Sequence, residues 1–434
     1  MHNPLRVPCL VLAVAAISFS SNLHLRAAES AKPTDLALPA TDEGLPGAGP
    51  IRRADWFNKL WAQRRSEWAK QVERDRGAVV FLGDSITQGW GDALAASFPG
   101  AKLANRGISG DTTRGMLIRL PHDVLALNPA GVVMLMGTND LEMGADPQTI
   151  AANVKLILDA IHQHNPKTPI ILCRVFPSSA SMHRPADKIK AINEAFAATV
   201  KGNTQVTLLD TWTLFADESG NARKAEFPDL LHLNPAGYAK WASALRPVLA
   251  THGFIETEPD TFTIEPGFES LFNGKDLTGW GTRDMKSMDK KLDFSGSPSS
   301  PDGRYVAVNG RIVVTTPTEG RRVQQLWTTR EFPGDFVLKL EFRATPNADS
   351  GVFLRKPQLQ CRDYPLAGPY KQLTKYKPQD WNEMVVTVKS GVAHCTCNGE
   401  VLEEALKLPA SGPIGLEGDR GQMEYRRIRL KQTP

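Results

Sequence analysis

The feature that most constrains the fold is a change of pattern near His252. Upstream of it, short apolar runs alternate with segments of helical length from about residue 78 onward. Downstream, the long helical segments disappear and short runs of strand composition follow one another. Apolar strands separated by helices predict βαβ units with a mostly parallel sheet, whereas successive short strands predict a sandwich. The 434 residues are therefore expected to form two domains of different class.

The upstream domain is predicted to span residues 55–255 as a three-layer α/β fold of the flavodoxin-like kind. Right-handed crossovers between its strands give a parallel sheet with helices on both faces. The predicted strands are 78–82, 102–106, 132–136, 169–176 and 205–210. The predicted helices are 55–76, 113–127, 147–164, 186–200 and 235–249.

The downstream domain is predicted to span residues 268–434 as an all-β jelly-roll sandwich. A stretch with two prolines, several threonines and acids, residues 256–267, is expected to link the domains. The dipeptides Asn309-Gly310 and Asn398-Gly399 lie between strand-like runs, where they favour two-residue hairpin turns.

The N-terminus predicts export. Arg6 precedes an almost wholly apolar run, residues 7–19, which is too short for an ordinary membrane span. Residues 1–28 therefore have the pattern of a signal peptide, with an uncleaved anchor as the alternative. Residues 29–54 are expected to form a flexible leader. We expect a secreted or periplasmic protein without stable membrane insertion, because no later segment is long and apolar enough.

The net charge and the residue spacing bear on which partners and cofactors are expected. A net charge of +4 with no long basic run gives no reason to expect nucleic-acid binding. Neither a metal nor another cofactor is predicted, because no cluster of His, Cys and Asp residues has the spacing of metal ligands.

The four cysteines that follow Cys9 leave two possibilities open. Either Cys361 forms a disulfide with Cys395 or Cys397, or all four cysteines, Cys173 included, are free buried thiols.

Four polar loops are expected to meet at one edge of the parallel sheet, where open α/β folds collect their chemistry. They are residues 83–87, 107–112, 137–140 and 229–235. A serine hydroxyl becomes a nucleophile when a base takes its proton. Ser85, His232 and Asp229 supply a nucleophile, a base and an acid that orients the base. The backbone N–H groups of Ser85 and Gly110 and the amide of Asn139 can then stabilise an oxyanion.

These loops resemble the motif blocks of the GDSL/SGNH hydrolase superfamily. Gly83-Asp84-Ser85 resembles the first block, residues 107–112 the second, residues 137–140 the third and Asp229-x-x-His232 the fifth. The resemblance covers roughly residues 75–250. It implies an esterase, lipase or carbohydrate deacetylase in which Ser85, Gly110, Asn139 and His232 are the signature positions and Asp229 is the triad acid. The variant is most similar to the platelet-activating-factor acetylhydrolase and acetylxylan-esterase branch, which implies a short acyl group.

We expect structural or binding roles for other polar residues near these loops. Asp84 and Asp111 are expected to hold the nucleophile turn and to cap the helix that begins at Thr112. Arg114, on the first turn of that helix, is a candidate substrate contact.

The downstream domain resembles the 3-keto-disaccharide hydrolase domain family, a concanavalin-like jelly-roll group. The matching pieces are residues 268–280, 336–343, 347–355, 381–383 and 412–416. Residues 359–363 depart from the family pattern, which puts hydrolytic activity of this domain in doubt. Candidate sugar contacts on its sheet are Glu341, Arg343 and Arg355, with cross-strand ion pairs as the alternative. Trp381 or Trp327 could stack on a sugar ring, although core packing is the favoured role for both tryptophans.

Taken together, the sequence predicts an exported serine esterase. An acetylated polysaccharide or oligosaccharide is the expected substrate, held by a glycan-binding or glycan-cleaving second domain. Three alternatives stay open: a lipid or aryl esterase, a non-catalytic glycan-binding protein, and a glycosidase whose activity lies in the second domain. The pattern does not predict the oligomeric state.

Overall fold

The computed structural model describes residues 36–258, 260–284, 286–316 and 322–433. The predicted signal peptide, Cys9 and the first residues of the predicted leader lie outside these ranges.

The N-terminal domain alternates strands with helices, as predicted. Its strands are β1 (Val79–Gly83), β2 (Leu103–Gly107), β3 (Gly131–Leu135), β4 (Ile170–Cys173) and β5 (Val206–Leu209). Its helices are α1 (Asp55–Ala69), α2 (Val72–Asp75), α3 (Ser85–Gly89), α4 (Ala93–Ser97), α5 (Thr113–Asp123), α6 (Thr138–Glu142), α7 (Pro147–His164), α8 (Ala186–Thr199), α9 (Thr211–Phe215) and α10 (Pro235–Thr251). Short 3-10 helices cover Leu125–Leu127 and Ala180–Met182.

The strands form one parallel sheet in the order β2-β1-β3-β4-β5, which is the flavodoxin-like order. Both faces of this sheet are buried. In β1, Val80 and Leu82 pack into the core on one face, and Val79 and Phe81 pack into the core on the other. The predicted three-layer α/β fold is therefore confirmed, and the carboxyl ends of its strands lie along one edge.

The C-terminal domain consists almost entirely of antiparallel strands. They are β6 (Glu269–Ser270), β7 (Trp280–Arg283), β8 (Lys290–Asp293), β9 (Tyr305–Val308), β10 (Arg311–Val314), β11 (Gln325–Thr328), β12 (Asp335–Ala344), β13 (Gly351–Leu354), β14 (Gln358–Gln360), β15 (Asn382–Lys389), β16 (Val392–Cys397), β17 (Glu400–Lys407), β18 (Ile414–Glu417) and β19 (Met423–Thr433). A single short helix, α11 (Tyr364–Ala367), interrupts them within the described residues.

Two sheets face each other in this domain, as predicted for a sandwich. One has the order β17-β16-β15-β12-β19-β10-β9 with β6 added to β19, and the other has the order β14-β13-β18-β11-β7-β8. The alternation along β12 shows where the core lies, because Phe336, Leu338 and Leu340 are buried between the sheets. Both Asn-Gly dipeptides form the expected hairpin turns, with each asparagine and glycine at positive φ.

Residues 36–54, which we call the N-terminal strap, lie against the α/β domain instead of forming the flexible leader that their composition predicts. Arg114 holds the strap, because its guanidinium donates to the Asp42 carboxylate at 2.6 Å and to the Gly49 carbonyl at 2.9 Å. Asn153 adds a pair of hydrogen bonds to the main chain of Ala48. The expected substrate contact by Arg114 is therefore corrected: the strap uses its donors.

The linker also has a defined position. Its described residues form no helix or strand, but Glu256, Asp260 and Glu265 pair with arginines on the outer face of the β12–β19 sheet. Side chains of the sandwich also reach the first domain directly. Gln422 donates to the Pro247 carbonyl at 3.1 Å, and Asn347 donates to the Asp210 carboxylate at 2.8 Å.

The four cysteines of the described residues are free and buried, so of the two possibilities the structure has the unpaired thiols. Burial raises the pKa of Cys173, Cys395 and Cys397 to about 12 in each case, which keeps these thiols protonated. Among the helices of the described ranges, we find no candidate membrane span.

Candidate active site

The nucleophile candidate lies on a tight turn between β1 and α3. Ser85 begins α3, and the Asp84 carboxylate before it accepts a hydrogen bond from the Ile86 N–H at 2.9 Å. Gly83 is required on this turn, because a Cβ at that position would lie 2.1 Å from the Thr87 hydroxyl. The turn therefore places the Ser85 side chain at the carboxyl edge of the sheet.

Ser85, His232 and Asp229 are brought together with hydrogen-bonding distances. Nε2 of His232 lies 3.0 Å from the Ser85 Oγ, and Nδ1 of the same ring lies 2.7 Å from Oδ2 of Asp229. Both distances suit hydrogen bonds. The side chains of His232 and Asp229 are each about half exposed, 44% and 52%, so solvent reaches this arrangement.

The turn that joins Asp229 to His232 is held in an unusual conformation. Leu230 has φ of +65°, a left-handed backbone that a bulky side chain rarely adopts. Its carbonyl accepts a hydrogen bond from the Ser178 hydroxyl at 2.8 Å, and Oδ1 of Asp229 accepts from the backbone N–H of His232 at 2.7 Å. Strain of this kind persists where surrounding contacts hold it. Here it allows one carboxylate to contact both the backbone and the ring of His232.

The protonation of Asp229 is set by opposing effects. Partial burial works to raise its pKa, but the hydrogen bonds from the backbone and ring of His232 and from the Leu231 N–H hold the pKa below its ordinary value. Asp229 is therefore a carboxylate at neutral pH, which is the form that orients an imidazole and stabilises its charge.

Asn139, on the first turn of α6, has a side-chain amide whose orientation is unambiguous. Its Oδ1 accepts from Nη2 of Arg184 at 3.2 Å, and its Nδ2 donates to the Asp111 carbonyl at 2.9 Å. Because a guanidinium only donates and a carbonyl only accepts, the amide cannot be reversed. One N–H of the amide donates to Asp111, and the other has no hydrogen-bond partner among the described residues.

Gly110 is the third predicted oxyanion residue and lies in a left-handed conformation, with φ of +83°. Its carbonyl accepts from Nε of Arg52, a residue of the strap, at 3.0 Å. A Cβ at Gly110 would lie 2.7 Å from the Trp56 ring and 3.0 Å from the Arg52 side chain. Both the backbone conformation and the contacts with Arg52 of the strap and Trp56 of α1 therefore require glycine here.

We expect Gly110→Ala to destabilise the protein more than Gly100→Ala. Both glycines have nearly the same positive φ, +83° and +82°, so both substitutions incur a backbone cost of about 1–2 kcal/mol. Only the alanine at position 110 also meets neighbouring atoms, since nothing lies within 4 Å of a Cβ at Gly100. Thermal unfolding of the two variants measures the difference. Equal losses would show that the contacts with Arg52 and Trp56 do not exclude a side chain at position 110.

Sequence reasoning missed three charged residues that hold the two loops predicted to stabilise an oxyanion. Arg184 is 5% exposed and donates to the Thr138 carbonyl at 3.1 Å as well as to Asn139. Its guanidinium lies 3.9 Å from the Glu142 carboxylate, which also pairs with Arg52 at 2.5 Å. Arg52, Glu142 and Arg184 thus connect the Gly110 loop to the Asn139 loop. Arg184 lies in a loop without a motif, so no local signal identifies it.

Asp84 has the structural position expected of it, whereas the expected capping of α5 by Asp111 is corrected, because the N-cap is Thr112, whose hydroxyl accepts from the Gly115 N–H. Asp84 is fully buried, and burial raises its pKa to about 6. It helps to line a small cavity of about 10 Å³ beneath the nucleophile turn, whose other walls include Ile86, Phe176 and Leu231. Asp111 accepts from Nε of Arg119 at 2.7 Å and from the Thr112 N–H, and Thr112 caps α5.

Three candidate sugar contacts in the second domain have other partners. Glu341 pairs with Arg426 and Arg427, each at 2.8 Å. Arg343 is 1% exposed and bonds to the carboxylates of Glu256 and Glu424. These residues are therefore corrected to cross-strand and linker ion pairs, because the linker covers this face of the sheet.

Arg355 is likewise buried, and its guanidinium donates to the backbone carbonyls of Phe332, Pro409 and Gly334. Its predicted role is corrected to a structural one. Trp381 is half-buried, with the guanidinium of Arg426 4.0 Å from its ring centroid. Trp327 is buried against Phe353, as its expected core position requires.

Within the described residues, no three His, Cys, Asp or Glu side chains lie close enough together to hold a metal ion. The predicted independence of metals stays a prediction.

Comparison with known families identifies both domains. Residues 81–240 match the GDSL-like Lipase/Acylhydrolase family, and residues 267–431 match the 3-keto-alpha-glucoside-1,2-lyase-like domain. The chain thus carries a GDSL-like acylhydrolase domain followed by a sugar-hydrolase-like β domain, as the motifs predicted. The first domain is of a kind that hydrolyses ester bonds.

Individual proteins resemble the first domain. Human platelet-activating factor acetylhydrolase IB subunit alpha2 is 27% identical over 192 residues, which are 44% of this chain and 83% of that protein. Thioesterase 1/protease 1/lysophospholipase L1 of Escherichia coli K12 is 28% identical over 129 residues, 28% of this chain and 58% of that protein. The solved structure of a GDSL-like lipase from Bacteroides thetaiotaomicron is 24% identical, covers 44% of this chain and 96% of its own, and has a TM-score of 0.39.

Proposed function

We propose that this chain is an exported serine esterase that removes acetyl or other short acyl groups from a polysaccharide or oligosaccharide. The observation that carries the proposal is the continuous hydrogen-bonded path from Ser85 through His232 to Asp229.

In the proposed reaction, the Ser85 Oγ attacks the ester carbonyl carbon while His232 Nε2 takes the hydroxyl proton. Asp229 stabilises the imidazolium that forms and keeps Nδ1 protonated. The backbone N–H groups of Ser85 and Gly110 and the amide of Asn139 stabilise the oxyanion. His232 then gives its proton to the leaving alcohol as the ester C–O bond breaks. Water attacks the acyl-enzyme by the same route and releases the acid.

Two findings support a carbohydrate ester of a short acid. The second domain resembles sugar-hydrolase-like domains, and an esterase tethered to such a domain gains a high effective concentration on the same polymer. The name of the mammalian relative refers to an acetyl ester. The apolar N-terminal run supports export of the chain to a compartment where such polymers occur.

Acetate release from acetylated xylan, acetylated mannan and acetylated pectin tests the proposal. We expect the full chain to release acetate from at least one of them, and to hydrolyse that ester faster, per ester bond, than it hydrolyses a phosphatidylcholine or a p-nitrophenyl ester. A preference for the lipid or aryl ester would assign the chain to that class of esterase instead. Cleavage of glycosidic bonds without acetate release would place the activity in the second domain, and inertness towards every ester and glycoside would favour a non-catalytic glycan-binding protein.

A further inference from the structure

The turn that carries Gly110 uses its neighbouring main-chain donors within the protein. The Ser109 N–H donates to Oε1 of Gln88 at 2.7 Å, and the Asp111 N–H donates to the Ile108 carbonyl at 3.1 Å. The Gly110 N–H, by contrast, has no hydrogen-bond partner among the described residues. It is therefore the donor of this turn to which the proposed reaction assigns the oxyanion.

Arg52, a residue of the N-terminal strap, holds the carbonyl end of Gly110. Its Nε donates to the Gly110 carbonyl at 3.0 Å, and its Nη2 donates to the Glu142 carboxylate at 2.5 Å. Glu142 is the last residue of α6, and Asn139 lies on the first turn of the same helix. One guanidinium thus fixes the Gly110 turn relative to the helix that carries the other predicted oxyanion donor.

Gly110 needs such a restraint more than another residue would. Its φ of +83° is one of several backbone conformations that a glycine adopts at little cost, so the residue alone does not fix the direction of its N–H. The Arg52 side chain is only 19% exposed, and a partly buried ion pair is screened little by salt. We propose that Arg52 is a positioning residue of the oxyanion site, which holds the Gly110 turn in the conformation that catalysis uses. This inference rests on the proposed function and deepens it.

The place of Arg52 in the chain makes the strap part of the site. The region that matches the GDSL-like family spans residues 81–240, so Arg52 lies outside it. Other contacts anchor the strap, because Arg114 donates to the Asp42 carboxylate and Asn153 donates to the Ala48 carbonyl. Arg52 therefore extends from a backbone that is held independently of its own side chain.

An arginine suits this task because its planar guanidinium presents several N–H donors at fixed angles. A lysine at position 52 would keep the positive charge, but its single ammonium group cannot reproduce the two contacts in one plane. Oxyanion donors act because they are preorganised, and a displacement of about 1 Å can cost on the order of a hundredfold in rate. Charge alone is therefore not expected to replace Arg52.

Steady-state hydrolysis of p-nitrophenyl acetate by the full chain tests the inference, with kcat expressed per site titrated by an organophosphate. We expect Arg52→Gln to lower kcat roughly ten- to a hundredfold and to change KM by less than about threefold, because the donor acts on the oxyanion more than on the ground-state carbonyl. Arg52→Lys should recover only part of the loss. The matched control is Arg53→Gln, which should keep the wild-type kcat and KM, since the Arg53 side chain bonds within the strap to Asp42 and Ala40.

Hydrogen exchange followed by mass spectrometry gives a second readout, which does not depend on turnover. We expect the peptide that contains residues 107–112 to exchange faster in Arg52→Gln than in the wild type or in Arg53→Gln, because the turn loses the restraint on the Gly110 carbonyl.

Four results would overturn the inference: wild-type kcat in Arg52→Gln, full recovery in Arg52→Lys, an equal loss of kcat in Arg53→Gln, or unchanged exchange of the 107–112 peptide. If Arg52→Gln does not fold, Arg52→Lys carries the test, and wild-type kcat there contradicts the inference. Ser85→Ala, measured alongside, separates the inference from the proposed function. A wild type without Ser85-dependent hydrolysis contradicts both, whereas Ser85-dependent hydrolysis that Arg52→Gln leaves unaffected contradicts the inference alone.

Discussion

Replacing Ser85 by alanine is expected to lower kcat for acetyl ester hydrolysis on the order of 10⁴- to 10⁶-fold. The substitution removes the only atom that can form the acyl-enzyme in the proposed reaction. It leaves the oxyanion donors in place, which accounts for the residual rate expected above that of water. Since the Ser85 Oγ contacts His232 at the exposed edge of the sheet, stability should change little.

Steady-state hydrolysis of p-nitrophenyl acetate measures this effect, and mass spectrometry locates an organophosphate label. The matched control is Ser181→Ala, an exposed serine that bonds to Ser179 in the loop after β4. We expect the label on Ser85 in the wild type and in the control, and no label in Ser85→Ala. A Ser85→Ala variant with near wild-type rate, or a label elsewhere, would show that the nucleophile has been misassigned.

The parts of the structure that the sequence predicts are those set by local pattern. Strand and helix positions in the α/β domain follow from apolar spacing, and the α7 bounds, Pro147–His164, agree with the predicted range because Asp146 caps it and Pro147 begins it. The Ser85, Asn139 and His232 loops follow strands or precede a helix, so the order of elements alone brings them to one edge. The motifs and the order of the elements therefore predict the same location for the site.

The parts that escaped prediction depend on partners far away in sequence. The N-terminal strap has a leader-like composition, and only contacts with Arg114 and Asn153 show that it packs. Arg343 lies on the outer face of its strand, where alternation predicts exposure, yet the linker residue Glu256 covers it. Arg184 orients Asn139 from a loop that carries no motif. The spacing of charged residues along the sequence does not show whether a side chain contacts a ligand or forms an ion pair with a residue far away in sequence.

The second large effect concerns the oxyanion site: Asn139→Ala is expected to reduce kcat by roughly 10²- to 10³-fold, the usual cost of losing one preorganised donor. KM should change much less, because the ground-state carbonyl gains little from a donor aimed at the oxyanion. Steady-state kinetics on p-nitrophenyl acetate measure both constants. A rise in KM at unchanged kcat would contradict the assignment and make Asn139 a binding residue.

Arg184 provides a second test of this prediction. Its Nη2 donates to Oδ1 of Asn139, and this contact orients the amide so that Nδ2 is directed away from Arg184. Arg184→Gln is expected to lower kcat by about tenfold in the wild type and to have little further effect in an Asn139→Ala background, since a positioning residue acts through the group that it positions. Arg184→Lys should recover part of the loss, and thermal unfolding identifies variants that are merely unstable. Additive losses in the double variant would mean that Arg184 acts on the reaction independently of Asn139.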